Sequence, residues 1–521
     1  MTEAAAEPAR AKGPGVYAWY ALGVMVIVYM LNFVDRQILS ILAEDIKGDL
    51  GLTDAQLGFL YGTAFAIFYT LFGIPLGRLA DIWYRGRLMA IGLAVWSSMT
   101  ALSGFSTTYA QLAVARVGVG VGEASASPAA FSMLADYFPK ERRALAAAIY
   151  SAGLYVGSGL SLPLGGAITD AWNSAFPNGS GPFALAGWQA TFLAVGVPGL
   201  IVAAWVWTLR EPQRTGPRGE PLPVAKPGAW GIFLREFAAI LPPFTLISVA
   251  RHKGLKRNLI AAAVIAAAVT AMILLTHDYA QWIAYGVGCY AVFSWVQSLK
   301  ATDRPTYQLI WGTPQVLLCI VGMGGLATVT YGFGFWAAPY AIRTFGVTPH
   351  EAGMALGIPS AIASAVGVIA GGRLSDAWKS RDPRGRLFVC MLSSATTFPL
   401  IILMFTRPDF GSYAWMNPLV AMTSSAWVGS TVAAYQDFVL PRMNGTVSAT
   451  YVLGSTMVGL AIGPYASGKV ATVTGSLQMG VFSLLLMPPV SLFCLWLVSR
   501  KMAALEASKV DRAIAVGEPA Y

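Results

Sequence analysis

Long apolar runs recur along the chain and are separated by short polar loops. Six runs occupy the first part of the chain, namely Tyr17–Leu42, Leu57–Leu76, Leu88–Phe105, Tyr109–Leu134, Ala144–Ile168 and Trp188–Leu209. Six more occupy the last part, namely Pro314–Ile342, Ala352–Ala370, Leu387–Phe405, Tyr413–Val439, Thr446–Ala466 and Leu477–Val498. Leu259–Leu275 and Trp282–Leu299 lie between the two sets. A helix of about 20 apolar residues crosses a bilayer core, so the pattern predicts an all-α polytopic membrane protein with fourteen spans arranged 6+2+6.

The two sets of six runs carry copies of one motif. The segment Gly77-Arg-Leu-Ala-Asp-Ile-Trp83 returns as Gly372-Arg-Leu-Ser-Asp-Ala-Trp378. Arg-Gly-Arg-Leu follows each copy, at Arg85–Leu88 and again at Arg384–Leu387. Such self-similarity indicates an architecture made of repeated units. Many secondary transporters consist of two matched halves with the substrate site between them, and the repeat therefore predicts a carrier that works by alternating access.

The runs and the repeat divide the chain into four parts. Residues 1–209 are predicted to form an N-terminal six-helix half, and residues 312–500 a C-terminal six-helix half. Residues 210–311 would hold a cytoplasmic linker, the two inserted spans and an amphipathic helix over Trp230–Leu241, which suits the membrane interface. Residues 501–521 are predicted to form a cytoplasmic tail.

Charge is scarce and unevenly distributed. Charged residues make up 12% of the chain and apolar residues 56%, whereas soluble proteins carry about 25% charged residues. With both termini in the cytoplasm, most of the 35 Lys and Arg fall inside, and the loops outside hold only Lys47, Arg343, Arg407 and Lys469. This is the positive-inside pattern of a protein of the cytoplasmic (inner) membrane. The net charge of +10 thus indicates topology and contact with membrane lipids, and nucleic acid is excluded as a partner. We expect no cofactor, no metal and a monomer.

Ionisable residues inside the predicted spans are few. Asp35 and Arg36 lie deep in the first span with Asn32 one turn before them, and Arg116 and Glu123 lie two turns apart in the fourth. Charges in a membrane are costly and mark functional sites. Carboxylates can gain a proton, whereas arginine effectively never loses one. The pattern predicts Asp35 and Glu123 as proton-coupling groups, with Arg36, Arg116 and Asn32 as charge partners or headgroup contacts. The alternative is a static ion-pair cluster that only pins the two helices.

The second half has no ionisable residue away from the span ends but is rich in aromatic residues. Tyr331, Trp336 and Tyr451 are predicted to line a substrate cavity. An amphiphile would fit this cavity with its head near Arg36 and its tail along the second half. For each single aromatic, ordinary packing remains the alternative.

The two motif loops are predicted to act as charged latches on the cytoplasmic side. Their charged residues are Asp81, Arg85 and Arg87 in the first half and Asp376, Arg384 and Arg386 in the second. Latches between helix ends would favour one access state, as alternating access requires. The alternative is that these basic loops only fix the topology.

Two sets of motifs resemble a known family. Gly77-x-x-x-Asp81 followed by Arg85-Gly86-Arg87 resembles the loop motif of the major facilitator superfamily, with extra residues between Asp81 and Arg85. Asp35-Arg36 together with Arg116-Val-Gly-Val-Gly-Val-Gly-Glu123 resembles the Spinster branch, which comprises lipid transporters and their bacterial relatives. The resemblance implies a major facilitator fold, proton coupling at Asp35 and Glu123, and lysophospholipid or sphingoid phosphate substrates. It does not cover the inserted pair.

Other functions stay open at this point. A proton-linked exporter of drugs or organic anions fits the same residues, and a receptor or scaffold that does not transport is a third possibility. The chain is not predicted to be an enzyme, because it carries no HExxH, no P-loop and no GxSxG with plausible partners.

Overall fold

The computed structural model describes residues 15–177, 180–215, 220–240, 244–245 and 254–519. The first half consists of α1 (Val16–Leu50), α2 (Asp54–Tyr61), α3 (Thr63–Ile82), α4 (Arg85–Ser103), α5 (Tyr109–Glu123), α6 (Ala126–Tyr137), α7 (Lys140–Ala175) and α8 (Gly187–Trp207). A single 3₁₀ turn, Pro182–Ala184, precedes α8. Helices α2 and α3 together form one pass, as do α5 and α6.

The central part contains β1 (Arg214–Thr215), β2 (Pro221–Leu222), α9 (Ala229–Ile240), α10 (Leu255–Thr276), α11 (Tyr279–Thr302) and α12 (Arg304–Ile310). The two strands pair in antiparallel fashion over two residues each. The predicted interfacial helix corresponds to α9, except for Leu241, which lies outside the described residues. Its aromatic side chains pack on α3, where the Phe237 and Phe72 ring centroids are 4.9 Å apart. Trp230 and Trp83 lie 5.1 Å apart in the same interface.

The second half repeats the order of the first. It consists of α13 (Pro314–Phe345), α14 (Pro349–Lys379), α15 (Gly385–Phe405), α16 (Phe410–Ser425), α17 (Trp427–Asp437), α18 (Asn444–Gly454), α19 (Gly463–Thr474), α20 (Leu477–Ser483) and α21 (Met487–Ser499). A 3₁₀ turn, Pro441–Met443, precedes α18, and a π-helical segment, Ser455–Leu460, follows it. Another 3₁₀ turn, Leu484–Leu486, joins α20 to α21. The tail holds α22 (Met502–Ala507) and α23 (Lys509–Ile514).

Ten helical segments of the described chain are long and apolar enough to cross a membrane. The predicted all-α membrane architecture is therefore confirmed. The count of fourteen spans stays a prediction.

The internal repeat also governs how helices end and begin. Helix α1 ends at Gly51, which has a left-handed φ of 63°, and α13 ends at Gly346 with a φ of 66°. Glycine adopts this conformation without the steric cost that a Cβ imposes. A threonine then caps the next helix through a capping box, Thr53 for α2 and Thr348 for α14. Both pairs are separated by 295 positions, the same distance as the two heptapeptide copies, so one local plan builds both halves.

The halves meet tightly at the end of the molecule opposite the two motif loops. Arg343 of α13 forms ion pairs with Glu44 at 2.7 Å and with Asp54 at 2.8 Å, both in the first half. On another side of the same end, a Cβ at Gly166 of α7 would lie 2.3 Å from the main-chain oxygen of Pro349. Only glycine fits this close backbone approach. The structure is thus closed between the halves at this end.

Candidate functional site

The structure brings together all five residues that were predicted to form the in-span charge cluster. Helix α1 contributes Asn32, Asp35 and Arg36, and α5 contributes Arg116 and Glu123. All five are buried, and the most accessible of them, Arg36, is only 8% exposed. Two carboxylates and two guanidiniums balance to a formal charge of zero, which is the arrangement that buried charges require.

Hydrogen bonds define two pairs within this cluster. Arg36 Nη2 donates to Glu123 Oε2 at 2.7 Å and to Asn32 Oδ1 at 3.4 Å. Arg116 Nη1 donates to the main-chain oxygen of Asp35 at 3.3 Å rather than to its carboxylate. The two helices are therefore joined by one direct ion pair and one bond between a side chain and the backbone.

The cluster is not saturated with hydrogen bonds. Asp35 Oδ1, Glu123 Oε1 and both Nε and Nη2 of Arg116 are buried without a hydrogen-bond partner among the described residues. The Asp35 carboxyl also faces Trp96 and Thr100 of α4. Buried polar atoms without partners are energetically costly. A proton on one of the carboxylates, or a polar ligand group that accepts from Arg116, would lower this cost.

Aromatic rings enclose the Arg36 guanidinium. Its Cζ lies 4.4 Å from the ring centroid of Phe65, 4.7 Å from that of Phe33 and 5.3 Å from that of Tyr69. Cation–π contacts of this kind stabilise a desolvated cation by about 2 kcal/mol. Sequence reasoning missed these three residues, and the only signal was the position of Phe33 one turn before Arg36.

The glycines of the Arg116–Glu123 motif allow α5 to approach its neighbours. A Cβ at Gly120 would lie 2.6 Å from the main-chain oxygen of Phe65, and one at Gly122 would lie 2.7 Å from that of Gly92. Any larger residue would push α5 away from α3 or α4. The glycine spacing therefore serves to bury Arg116 and Glu123 against these helices.

A cavity of about 270 Å³ lies between the two halves. Its aromatic lining consists of Phe33, Tyr61, Tyr155, Tyr331, Phe333, Trp427 and Tyr451. Its polar lining includes Gln37, Ser158, Thr330, Ser360, Asn417, Ser424 and Ser425. None of the described lining residues carries a charge, so the cavity is suited to apolar and neutral polar groups.

Two of the three predicted cavity residues line this space. Tyr331 and Tyr451 are in its wall, whereas Trp336 is not. Trp336 is fully buried, and its indole nitrogen donates to the main-chain oxygen of Pro464 at 3.1 Å. The bond joins α13 to the start of α19, so ordinary packing accounts for Trp336 and its prediction as a cavity residue is corrected.

The charge cluster and the cavity are adjacent. Phe33 contacts the Arg36 guanidinium and also lines the cavity. Gln37, the next residue after Arg36, lines it as well and accepts a 2.8 Å hydrogen bond from the Tyr61 hydroxyl. Sequence reasoning missed Gln37 and Tyr61 because neither residue type stands out in an apolar span. A displacement of the Arg36 side chain would therefore shift the cavity wall through Phe33 or Gln37, each of which is a single residue away.

The first motif loop forms a charged network, but its partners differ from the prediction. Arg85, 1% exposed, donates to Asp136 Oδ2 at 2.5 Å and to Glu211 Oε1 at 2.7 Å. Within the described part of the chain, the Asp81 carboxylate forms no ion pair. The linker residue Arg214 instead occupies the end of α3, where it donates to the main-chain oxygens of Asp81 at 2.5 Å and of Ala80 at 2.7 Å.

The second motif loop contains an equivalent of the Arg85–Asp136 ion pair. Arg386 Nη1 donates to Asp437 Oδ1 at 2.5 Å. Arg85 and Asp136 are 51 positions apart, and so are Arg386 and Asp437. The counterpart of Arg85 in this ion pair is therefore Arg386, although the aligned Arg-Gly-Arg triplets place Arg384 opposite Arg85 in the sequence. The ion-paired arginine thus lies two residues later in the second loop than the alignment of the triplets places it.

The remaining predicted latch residues have other contacts. Arg384 is exposed and pairs with Asp382 two positions earlier. Arg87 stacks on the Tyr84 ring at 4.5 Å and faces Trp207 at 5.6 Å. Asp376 forms no ion pair with any residue that the structure describes. The prediction of Asp81 and Asp376 as the acids of the latches is thus corrected: the acids are Asp136 and Asp437, and each pair lies within one half.

The C-terminal tail is joined to the second half by a further ion network. Arg442 donates to Glu518 Oε1 at 2.5 Å and to Asp303 Oδ2 at 2.9 Å. Hydrogen bonds from Arg442 lower the pKa of the Glu518 carboxyl. Burial opposes the same effect at Asp303, but the hydrogen bonds from Arg442 and Thr306 outweigh it and lower its pKa as well.

Comparison with known proteins agrees with this architecture. Residues 25–464 match the Major Facilitator Superfamily. An MFS-type efflux pump of Mycolicibacterium smegmatis is 26% identical over 491 residues, which cover 93% of each chain. Protein spinster homolog 1 of Xenopus tropicalis is 22% identical over 88% of this chain and 74% of its own length.

Among solved structures, the chain resembles a bacterial homolog of the human lysosomal transporter Spinster in an inward-facing and unoccupied conformation. The TM-score is 0.65 at 24% identity, and the match covers 98% of this chain and all of the other. This likeness supports the same fold. The predicted resemblance to Spinster proteins is confirmed by both comparisons.

Proposed function

Because this chain belongs to the major facilitator superfamily, we propose that it is a proton-coupled secondary transporter of an amphiphilic, lysolipid- or sphingolipid-like substrate. It is a membrane transporter related to Spinster proteins and to efflux pumps. The observation that carries the proposal is the buried Arg36–Glu123 ion pair at 2.7 Å beside a cavity without charges.

We place the protein in the cytoplasmic membrane with fourteen spans and both termini in the cytoplasm. The helices α10 and α11 supply the two spans beyond the twelve of the paired halves. In this topology the end closed by Arg343 faces outward, as an inward-facing state requires. The substrate then exchanges with the cytoplasmic side or the inner leaflet.

The coupling mechanism follows from the charge balance of the cluster. A proton on Glu123 removes the counter-charge of Arg36, which lies 2.7 Å away. The Arg36 guanidinium then keeps its contacts with Asn32 and with the rings of Phe33, Phe65 and Tyr69. Because Phe33 also lines the cavity, loss of the ion pair frees Arg36 to seek an anionic headgroup there. Protonation and substrate binding thereby become linked.

The cavity composition supports an amphiphile rather than a fully polar solute. Aromatic and aliphatic side chains dominate its wall, and a few neutral polar groups such as Asn417 and Ser360 interrupt it. Apolar area drives binding of a hydrocarbon tail, while neutral polar groups fix orientation. A single negative headgroup is attracted to Arg36, the cation of the cluster that shares Phe33 with the cavity.

The test uses purified protein in liposomes that enclose a pH-sensitive dye. A lysophospholipid or a sphingoid phosphate is added outside, and proton flux is recorded for the parent, Asp35→Asn and Glu123→Gln proteins. Glu141→Gln serves as control, since Glu141 is exposed at the start of α7 and outside the cluster. We expect substrate-dependent flux in the parent and the control, and none in the two cluster variants. Undiminished flux in Glu123→Gln contradicts the proposed coupling.

A second candidate function is proton-linked export of drugs or organic anions. The relative with 26% identity over 93% of both chains, an efflux pump, favours it. The same liposomes distinguish the two proposals, because flux with drug-like anions and none with lipids would assign the substrate class to export.

A further inference from the structure

The helical hairpin formed by α10 and α11 lies against the junction between the two halves. Gly288 of α11 faces both halves at once, since a Cβ there would lie 2.9 Å from Ile67 of α3 and 2.9 Å from Met457 of the π-helical segment. Helix α10 faces away from the body, with Val264 63% exposed and Leu275 76% exposed. The hairpin therefore contacts the halves through α11, the turn and the end of α10, where the Thr276 main-chain oxygen accepts a 2.5 Å hydrogen bond from Lys469.

The hairpin is a unit that is held together internally. The buried Asn258 of α10 donates to Ser294 at 3.1 Å and to Gln297 at 3.0 Å, both on α11. The Tyr290 hydroxyl donates back to Asn258 Oδ1 at 2.6 Å. These bonds join the two helices near the end opposite the hairpin turn, so that the hairpin can move as one body.

A strong contact joins the hairpin turn to the second half. Asp278 forms an ion pair with Lys469 Nζ at 2.8 Å and accepts a hydrogen bond from the Tyr465 hydroxyl at 2.8 Å. The Trp282 ring stands perpendicular to that of Tyr465, with centroids 5.7 Å apart. Charge-assisted hydrogen bonds are about twice as strong as neutral ones, so this attachment is firmer than a neutral hydrogen bond to the first half.

A weaker contact joins the hairpin to the first half. The Thr63 hydroxyl lies 2.7 Å from Gln281 Oε1 and 2.6 Å from the main-chain oxygen of Ala461, and it has a single proton to donate. Gln281 Nε2 is buried and has no hydrogen-bond partner among the residues that the structure describes. Rotating the Gln281 amide by 180° resolves both problems, because Nε2 then donates to Thr63 while Thr63 donates to Ala461. The contact is a chain of two neutral hydrogen bonds through one first-half residue.

The two hydrogen bonds from Gln281 through Thr63 to Ala461 cross the interface between the halves. This interface must separate when the outer side opens. Thr63 belongs to the first half and Ala461 to the second, and they lie in the same interface as the Gly58–Pro464 approach, where a Cβ would lie 2.3 Å from the oxygen of Pro464. Separating the halves at this end breaks the link from Thr63 to Ala461. The hairpin, bonded to both sides, must then release one of them.

We propose that the inserted hairpin acts as a clip that holds the two halves together on the closed outer side. When the outer side opens, the hairpin moves with the second half and its contact with Thr63 breaks. The proposal rests on the alternating-access part of the proposed function and not on the substrate. The clip stabilises the closed outer side by the strength of the Gln281–Thr63 contact, and so it sets the balance between the two access states.

The first test measures that balance without any substrate. Spin labels are attached at Thr107 and Thr406, exposed outer-loop positions of the two halves, through ketone-bearing non-canonical residues. The distance distribution is recorded in an Arg343→Gln background, where the outer ion pairs are weakened. Adding Gln281→Met, which keeps the side-chain length, should raise the ratio of open to closed molecules about fivefold, as expected for a hydrogen bond worth about 1 kcal/mol. Val264→Ala, on the exposed face of α10, should leave the ratio unchanged.

The second test asks which contact is released. In a protein whose four cysteines are replaced by alanine, a short bifunctional thiol reagent bridges Thr63→Cys to Gln281→Cys, or Asp278→Cys to Tyr465→Cys. The first bridge should abolish the open population, and the second should leave it intact. An unchanged ratio in Gln281→Met, or an open population that survives the first bridge or is lost with the second, overturns the clip. Because both readouts are distances, a failure of lipid transport leaves them unaffected.

Discussion

The Arg36–Glu123 ion pair permits a measurement of stability that needs no substrate. Glu123→Gln leaves a guanidinium buried without its counter-ion, a change that costs about 3–5 kcal/mol in buried pairs. The rings of Phe33 and Phe65 still enclose Arg36, so we expect the lower end, about 3 kcal/mol. Arg36→Gln removes those ring contacts as well, and we expect a loss towards the upper end, about 5 kcal/mol.

The double variant Arg36→Gln/Glu123→Gln restores neutrality, because Asp35 and Arg116 remain as one acid and one base. It should therefore cost less than the two single changes together, by at least about 3 kcal/mol of coupling energy. Equilibrium unfolding in mixed micelles can be followed by the fluorescence of the 16 tryptophans, with Glu141→Gln as control. Additivity within about 0.5 kcal/mol would refute the pair as a unit of stability, and with it the account of coupling given above.

Three further outcomes follow from the ion networks outside the cluster. Arg343→Gln removes two partly exposed ion pairs across the closed end, and at up to about 1 kcal/mol each it should raise the open-to-closed ratio five- to thirtyfold in the spin-label measurement; no change would assign the closure to packing alone. Arg85→Gln should destabilise the protein more than Arg386→Gln in the same unfolding assay, since Arg85 holds two acids and is 1% exposed while the Arg386 side chain is 19% exposed; equal losses would contradict this. The lowered pKa of Glu518 means that its contribution to tail docking is complete above the ordinary value of about 4.3 and is lost as pH falls through the lowered one. A spin label at Ala515 should thus become mobile only below about pH 4, and release at pH 6 would contradict the assignment.

Features whose cost is visible in the sequence were predictable. Asn32, Asp35, Arg36, Arg116 and Glu123 stand out because charge in an apolar run is expensive, and helical spacing places them on facing sides. The structure unites all five. The helices α9, α10 and α11 were predictable as well, because apolar length and periodicity can be read from a short stretch of sequence.

The sequence contains many aromatic and acidic residues, and which of them makes a particular contact was not predictable. The aromatic residues Phe65 and Trp336 look alike in the sequence, yet one encloses Arg36 and the other bonds to Pro464. The acids of the latches were assigned by proximity in sequence. The actual partners, Asp136 and Asp437, lie 51 positions away, because the ends of neighbouring helices meet in space after two passes. Only the spacing shared by both halves could have revealed them.

The shared spacing also shows which uncharged residues of the second half correspond to the in-span charges of the first half. The first helices of the halves correspond at 295 positions, as their glycine caps do, which pairs Asp35 with Thr330 and Arg36 with Tyr331. The fourth passes correspond at 301 positions, as the caps Thr108 and Asp409 do, which pairs Arg116 with Asn417 and Glu123 with Ser424. All four counterparts, Thr330, Tyr331, Asn417 and Ser424, line the cavity.

The two halves thus present equivalent surfaces to their common interface, one with a neutral ion cluster and the other with neutral hydrogen-bonding groups. A cluster of charges on both sides would double the desolvation cost of the interface and leave no apolar path for a hydrocarbon tail. Because the in-span charge cluster belongs to the first half, protonation of one carboxylate changes the charge beside the cavity by one unit. The second half then presents a cavity wall whose charge does not change, and an amphiphile can bind against this wall in either access state.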